Sequence, residues 1–214
     1  MSPPRRSVKA TRSYDTSGRR ERAKRQREAT LDTALALFLE RGYAATTVEA
    51  IATVAGVSAA TVYKTYGGKV GLIRSLCQRA LEGGGPVPAE TRSNALRTSS
   101  DPHDVVAGWG KLTTEVAPRS APLVLMLRAA GASNAEAAAL ADEIDDARLT
   151  RMADNAHFLH TAGHLRPGVT LREARDVLWT CSSPELYDVL VQRRGWSLSR
   201  YGRFVTDTIT NSLL

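Results

Sequence analysis

Apolar side chains in this chain recur three and four residues apart, the spacing that places them on one face of an α-helix. Leu31, Ala34, Leu35 and Phe38 show this period near the start, and the segment 201–209 shows it again near the end. No run of alternating apolar and polar residues is long enough to favour a β-strand. The sequence therefore predicts an all-α fold.

Glycines divide the first third of this pattern into short pieces. Gly42, Gly56 and Gly67-Gly68 each follow an apolar stretch, and glycine is the usual residue where a helix ends in a left-handed turn. Helices of about two turns are not stable alone, so they must pack against longer neighbours. Two short helices joined by a tight turn indicate a helix-turn-helix. The predicted helices are Arg22–Arg41, one from Thr46 (the N-cap of a capping box with Glu49) to Gly56, one capped by Ser58 that runs to about Tyr66, and one that starts at Lys69.

Positive charge is concentrated at the N-terminus. The net charge of the 214 residues is +7. Residues 1–28 hold ten of the 29 Lys and Arg residues but three of the 22 Asp and Glu residues, so the rest of the chain is electrically balanced. This composition predicts a disordered basic arm over residues 1–20 that is attracted to a polyanion such as nucleic acid. A solvated tail or a localisation sequence has the same composition, whereas a membrane anchor would need an apolar face.

Composition also divides the remainder of the chain. The segment 83–102 is rich in Gly, Pro and Ser, which predicts a loop or linker between a helix-turn-helix domain at 21–82 and a helical domain at 103–214. Proline and glycine residues break the second domain into six predicted helices. These are Asp104–Val116, Ala121–Ala130, Ala135–Thr161, Leu171–Cys181, Pro184–Arg194 and Leu198–Leu213.

The second helix of the predicted helix-turn-helix has a surface suited to a DNA groove. Ala59 and Ala60 stand at its N-terminal end, Lys64 lies further along, and no acidic residue occurs between Gly56 and Lys69. Small side chains allow close approach to base edges, and hydroxyl and ammonium groups bind phosphate. The pattern favours DNA binding over the alternative of an ordinary helical hairpin with a mildly polar face.

A longer motif lies over the same residues, and a second one lies near the C-terminus. The first is Arg27, Leu31, Ala34, Phe38, Gly42-Tyr43, Thr46-Thr47-Val48, Ile51-Ala52, Ala55-Gly56-Val57-Ser58, Thr61-Val62-Tyr63, Tyr66, Lys69 and Leu72. The second is Ser183-Pro184-Glu185-Leu186-Tyr187, Arg194-Gly195-Trp196-Ser197 and Tyr201. The first motif resembles, without a gap, the N-terminal domain of TetR-family (tetracycline-repressor-like) transcription regulators, and the second resembles the end of many members. Tyr66 stands where Phe is usual, and Gly67-Gly68 replaces the usual polar pair before Lys69.

The resemblance implies that the second short helix enters the major groove of a palindromic operator. It also implies roles for individual positions. Thr47, Thr61 and Tyr63 would contact phosphate, and Lys69 would hold a phosphate at the N-terminus of the next helix. Ala59, Ala60, Lys64 and Thr65 would face bases. The predicted DNA-binding set is Thr47, Ser58, Ala59, Ala60, Thr61, Tyr63, Lys64, Thr65 and Lys69.

The resemblance also implies a partner and a ligand. The C-terminal helices of the family form a four-helix bundle between two subunits, so a homodimer is expected; two recognition helices about 34–36 Å apart can read a palindrome. The same domain holds an inducer pocket, which predicts a small-molecule effector, here a lipophilic one. Candidate lining residues are large apolar groups that could equally be plain core. They are Trp109, Leu112, Met126, Phe158 and Trp179.

A metal site is the weaker interpretation of a histidine cluster. His157 and His160 share a helical face near His164 and Asp154, but Gly163 interrupts the helix before His164. This break spoils a fixed three-ligand geometry, so surface or capping histidines are favoured. Neither a metal nor a cofactor is predicted.

The remaining features exclude several classes of protein. The sequence has no phosphate loop, no G-x-S-x-G motif and no catalytic set, so an enzyme is not predicted. No apolar stretch could span a membrane, the start does not resemble a secretory signal, and Cys77 and Cys181 fit a reducing cytoplasm. The prediction is a cytoplasmic, ligand-responsive, DNA-binding repressor. The alternatives are a helical enzyme or small-molecule carrier with an incidental basic arm, and a structural or RNA-binding helical protein.

Overall fold

The computed structural model describes residues 16–83 and 87–214, and these residues form helices and no strands. The all-α prediction is therefore confirmed for this part of the chain. Residues 1–15, most of the predicted basic arm, lie outside the described residues. The helices are α1 Thr16–Ala45, α2 Val48–Ala55, α3 Ala59–Tyr66, α4 Lys69–Glu82, α5 Ala89–Leu96, α6 Pro102–Gly131, α7 Ala135–Thr161, α8 Leu171–Cys181, α9 Pro184–Tyr187 with a π-helical continuation Asp188–Arg193, and α10 Leu198–Leu213.

Helix α1 begins earlier than the sequence predicts, whereas its predicted stop at Gly42 is present as a break. It begins at Thr16, so the prediction of disorder is wrong for residues 16–20, which are helical. It breaks at Gly42, where φ is 76°, and the chain regains helical geometry as far as Ala45. Glycine adopts this left-handed conformation without the steric cost that a Cβ would add. The predicted stop at Gly42 is thus confirmed as the end of the long helix, and residues 43–45 form a further helical turn beyond the break.

Helix α2 is capped by Thr47 and not by Thr46. The Thr47 hydroxyl oxygen accepts a hydrogen bond from the Ala50 N–H at 3.1 Å. Thr46 is buried, and its hydroxyl donates to the carbonyls of Leu37 at 3.1 Å and Gly42 at 2.8 Å. The predicted capping box of Thr46 with Glu49 is wrong, because the Thr46 hydroxyl turns back to the end of α1 and bonds to the carbonyls of Leu37 and Gly42.

The predicted break at 117–120 and part of the predicted linker 83–102 are helical. Residues 102–131 form one helix that continues through Pro118 and Pro122, although the sequence predicts a break at Pro118. The predicted linker 83–102 contains α5, whose Ala89 and Ser93 are buried. In both segments packing against the rest of the protein outweighs the local preference of proline and of polar residues. The other helix predictions are closer: α7, α8 and α10 have the predicted bounds.

The buried apolar residues form two cores, and helices α6 and α7 pass through both. The first core joins α1–α4 to Leu123, Val124 and Leu127 of α6 and to the N-terminal part of α7. The second core joins the remaining parts of α6 and α7 to α8–α10 and is built around the fully buried Tyr201. The predicted division at 83–102 is therefore a division along the sequence, whereas the packing of the first core extends across it. No helix among the described residues is long and apolar enough to cross a membrane.

We expect Thr46→Val to destabilise the N-terminal domain, because the substitution keeps the shape and leaves the carbonyls of Leu37 and Gly42 without their donor. The loss should be about 1–2 kcal/mol in the free energy of unfolding, measured by urea denaturation. Thr33→Val is the matched control, because the Thr33 hydroxyl bonds to Ala29 O on the exposed side of α1. Equal losses in the two variants would contradict this role for Thr46.

Candidate nucleic-acid interface

A left-handed glycine sets the angle between α2 and α3. Gly56 has φ 67° and ψ 34°, and the Val57 N–H donates to Ala52 O at 3.0 Å. The next helix is then opened by Ser58, whose hydroxyl oxygen accepts from the Thr61 N–H at 3.1 Å and lies 2.8 Å from the Thr61 hydroxyl. The predicted cap at Ser58 is confirmed. This corner and cap are the connection that a helix-turn-helix requires.

Helix α3 has one buried and one exposed face. Val62 is 1% exposed and packs in the first core, with Ile51 of α2 fully buried nearby. Ala59 is partly buried, whereas the opposite face is open to solvent. Because Val62 fixes the rotation of the helix about its axis, the exposed face is presented in one orientation. Its residues are Ala60, Thr61, Tyr63, Lys64 and Thr65.

Two side-chain contacts join the helix-turn-helix to α1. Gln26 Nε2 donates to Ala55 O at 3.0 Å, at the end of α2. The Tyr66 hydroxyl donates to Arg27 O at 3.0 Å, at the end of α3. Burial raises the pKa of Tyr66, and the positive charges of Arg27 and Arg79 oppose part of that rise. The sequence did not predict either contact. The one signal in the sequence was Tyr66 at a position where Phe is usual, because the added hydroxyl makes the bond to α1.

Lys69 is held at the N-terminus of α4 by Tyr43. Its Nζ donates to Tyr43 O at 2.6 Å and lies 4.1 Å from the centre of the Tyr43 ring. Tyr43 is 8% exposed and stacks on Phe38 with ring centres 6.2 Å apart, which fixes the ring below the lysine. Burial lowers the pKa of Lys69. The ammonium group is therefore held in place before any ligand binds, and it retains N–H donors for a further acceptor.

A polar cleft of about 440 Å³ brings together three of the residues predicted to contact phosphate: Thr47, Tyr63 and Lys69. Gly68 has φ 112°, and a Cβ there would come within 3.4 Å of the Tyr63 ring, so glycine leaves room for that ring beside the lysine. The carboxylates of Glu49 and Glu136 also line the cleft. Its other lining residues are Tyr43, Val48, Gly67, Val70 and Asn134.

The five residues predicted to line an inducer pocket do not all come together. Trp109 and Phe158 are in edge contact, with ring centres 6.4 Å apart, and Leu112 packs against the same core. Met126 packs against the first core instead. Trp179 lies under the guanidinium of Arg148, which is 4.4 Å from the ring centre. The structure thus groups Trp109, Leu112 and Phe158 in the second core and places Met126 elsewhere.

The histidines and cysteines do not form a site in the described part of the chain. His157 and His160 are exposed, whereas His164 packs on the Phe158 ring at 6.0 Å between centres. No group of three His, Cys, Asp or Glu side chains among the described residues could hold a metal ion. Burial raises the pKa of both Cys77 and Cys181 to about 11, so these thiols are mainly protonated and poor nucleophiles at neutral pH.

Comparisons with known proteins agree with this geometry. Residues 31–76 match the family model described as bacterial regulatory proteins, tetR family. No curated protein matches the sequence.

Three similar solved structures are SmeT in complex with triclosan, NalD and FadR. For SmeT the TM-score is 0.71 and the identity 22%, over 89% of this chain and 92% of SmeT. NalD is the secondary repressor of the MexAB-OprM multidrug efflux pump in Pseudomonas aeruginosa, with a TM-score of 0.68 and 22% identity over 91% of this chain and 98% of NalD. FadR, a fatty acid degradation regulator from Bacillus halodurans, has a TM-score of 0.69 and 18% identity over 86% of this chain and 94% of FadR.

The family match covers the kink of α1, both helices of the helix-turn-helix and most of α4. The solved structures extend the shared fold to nearly the whole chain. The glycine corner at Gly56, the Ser58 cap and Lys69 all lie in the matched segment, so residues 31–76 resemble the N-terminal domain of the tetR family of bacterial regulatory proteins, and the described chain shares the fold of these solved structures.

Proposed function

We propose that the protein is a ligand-responsive repressor that binds a palindromic operator as a homodimer. The observation that carries the proposal is the meeting of Thr47, Tyr63 and Lys69 in one cleft beside the exposed face of α3. A hydroxyl, a phenol and an ammonium group in one cleft are donors for phosphate oxygens. The adjacent exposed face of α3 carries no acidic residue. Its N-terminal end has only the small side chains of Ala59 and Ala60.

The dimensions of α3 suit a major groove. Eight residues of α-helix are about 12 Å long, and the major groove of B-DNA is about 12 Å wide. With phosphates held on the cleft side, the exposed side chains of α3 point towards base edges. Ala59 and Ala60 let the backbone approach, and Lys64 and Thr65 supply the groups that distinguish bases.

The two long helices give a physical route between ligand and DNA. Helices α6 and α7 contribute to both cores, so a molecule that changes their packing in the second core also acts on the first core. A ligand shifts the protein towards release of DNA only as far as it prefers one spacing of the two recognition helices over the other. Support for regulation of this kind comes from two relatives: NalD is described as a repressor, and SmeT was solved with a small molecule bound.

The proposed dimer contact lies on the C-terminal helices. Phe204 of α10 is 38% exposed and makes an edge contact with Trp196, with ring centres 5.6 Å apart. Leu198, at the start of α10, and Leu171, at the start of α8, are each 41% exposed. Large apolar groups on the outer faces of these helices are the kind of surface that a second subunit covers.

Base contacts and phosphate contacts should separate in a mutational test. Selection from a random pool of duplexes should yield an inverted repeat. The binding free energies of that duplex and of one with a mutated half-site should differ by about 1–3 kcal/mol less for Lys64→Ala than for the wild-type protein. Tyr63→Phe should weaken binding to all duplexes alike and leave the salt dependence unchanged, because it removes an uncharged hydroxyl that would reach phosphate. Fluorescence anisotropy measures both effects. Lys111→Ala, on an exposed position of α6, is the control; equal effects of Lys64→Ala and Lys111→Ala would contradict the assignment.

Removal of residues 1–20 tests the basic arm. We expect weaker DNA binding, mainly at low salt, and a smaller slope of log affinity against log salt concentration, because fewer counterions are released. The slope should fall by about 0.9 for each phosphate that the arm contacts. Unchanged affinity and slope would show that the arm does not contact DNA.

A charge on the outer face of α10 should separate the subunits. Phe204→Asp is expected to shift the protein from dimer to monomer in sedimentation velocity and to reduce affinity for the palindrome more than for a single half-site. Leu81→Asp is the matched control, since Leu81 of α4 is 56% exposed and lies away from α8 and α10. Dissociation of both variants, or of neither, would contradict a dimer contact at Phe204.

A further inference from the structure

The second core contains a cluster of hydrogen-bond donors around Phe158. The ring of Phe158 is in edge contact with Trp109 of α6, and the Arg97 guanidinium carbon lies 6.0 Å from the ring centre. His164 packs against Phe158 at 6.0 Å. Arg97, which ends α5, donates to Asn155 Oδ1 at 2.7 Å, and Asn155 is itself 4% exposed. Three helices, α5, α6 and α7, therefore meet at this ring.

Two donors of this cluster are buried without an acceptor. Within the described part of the chain, Arg97 Nε and Trp109 Nε1 make no hydrogen bond, and Trp109 is 6% exposed. A buried N–H without a partner costs free energy, so such groups are rare and point to a missing acceptor. Both groups donate only and cannot satisfy each other. The cluster therefore lacks a group with several hydrogen-bond acceptors.

A second arginine adds positive charge at the same place. Arg151 of α7 has a side chain that is 21% exposed, and its nearest carboxylate, Glu90, lies 3.6 Å away on a side chain that is 73% exposed. Burial lowers the pKa of Arg151, and the like charge of Arg97 lowers it further, with Glu90 and Asp154 opposing in part. Arg151 stands four residues before Asn155, the acceptor of Arg97, on the same face of α7, and the carboxylates of Glu90 and Asp154 near the two arginines are in solvent. Arg151 also donates to Glu90 O at 3.4 Å.

Another pair of arginines shows what a neutralised cluster looks like in this protein. Arg128 binds Asp145 at 2.5 and 2.6 Å and also pairs with Glu185. Arg148 lies 3.4 Å from Asp145 and donates to Trp179 O at 2.6 Å. Arg148 Nε and Trp179 Nε1 are also without acceptors, but here two partly buried or nearby carboxylates balance two guanidinium groups. The pair Arg97 and Arg151 has no such balance within the protein interior.

We propose that the effector of this regulator is an amphipathic carboxylic acid, with its carboxylate bound by Arg97, Arg151 and Trp109 Nε1 and its apolar part against Phe158. The inference rests on the proposed function and narrows the expected lipophilic effector to an acid. The incoming carboxylate takes the place of Glu90 beside Arg151, from the side on which Glu90 is exposed. Two guanidinium groups and an indole N–H match the acceptors of one carboxylate.

The test compares acids with uncharged molecules of the same shape. Isothermal titration calorimetry is run on the full chain with 2-naphthoate against 2-naphthamide and with decanoate against decanamide. We expect at least one acid to bind about 10- to 100-fold more tightly than its amide. Arg97→Gln and Arg151→Gln should each abolish that preference. Arg172→Gln should retain it, because the Arg172 side chain is 84% exposed on α8. Equal binding of acid and amide, no binding of either acid, or a preference that survives both substitutions would overturn the proposal.

A measurement without any probe adds a second criterion. Because Arg151 is partly desolvated and repelled by Arg97, Arg151→Gln should raise the Tm of the unliganded protein, by about 2–4 °C. A merely structural arginine would lower the Tm when replaced, so a lower Tm for Arg151→Gln would overturn the proposal. Arg97→Gln does not serve here, because it also removes the bond to the buried Asn155. Should one variant fail to fold, the comparison of acid and amide on the wild-type protein still decides.

Failure of this inference can be told from failure of the proposed function. Binding of the unliganded wild-type protein to its selected duplex is measured first, by fluorescence anisotropy. If the duplex is bound specifically and the amides release it as well as the acids do, the proposed carboxylate site is wrong, whereas the proposed function as a DNA-binding regulator is not contradicted. If no duplex is preferred, the proposed function itself is wrong, whichever probe the second core binds.

Discussion

The proposed DNA-facing surface depends on the burial of one face of a very short helix. Eight residues of isolated helix are not stable in water, so α3 keeps its shape only because Val62 packs in the first core and Ser58 caps its start. The Tyr66 hydroxyl ties the other end to Arg27 of α1. With both ends and one face fixed, the remaining face is rigid, which is what a surface that reads base edges needs.

Burial of apolar residues also joins the two halves of the protein, through helices α6 and α7. Helices α6 and α7 are each long enough to contribute to both cores, and α6 does so in spite of Pro118 and Pro122. A proline inside a helix removes one hydrogen bond and costs several kcal/mol unless packing compensates. Here apolar residues on both sides of the prolines are buried. The two cores therefore share their helices, so in the proposed function a displacement in one core would pass to the other through α6 and α7.

Local signals in the sequence were sufficient for much of the fold, and contacts distant in sequence account for the errors. The glycine corner at Gly56, the cap at Ser58 and the bounds of α7, α8 and α10 depend on residues within a turn or two of each other, and these predictions are confirmed. Thr46 was misread as a cap because its acceptors include Leu37, nine residues away. Helix α5 was missed because its composition is that of a linker and only burial against α6 explains it. The site shows the same division: composition predicted the exposed face of α3, but not the contacts of Gln26 and Tyr66 or the bond from Lys69 to Tyr43.

The placement of the unsatisfied donors agrees with the way the cores are joined. Trp109 belongs to α6 and Arg151 to α7, the two helices that reach into the first core, and Arg97 ends α5, which packs against α6. Arg97 and Arg151 lie near each other at this junction, and the proposed anion would bind between them. In the proposal, an anion bound between them would contact α5, α6 and α7 together, so its binding energy would depend on the spacing of those helices. Such a ligand would have the differential affinity for two helix arrangements that any effector needs in order to shift a regulator.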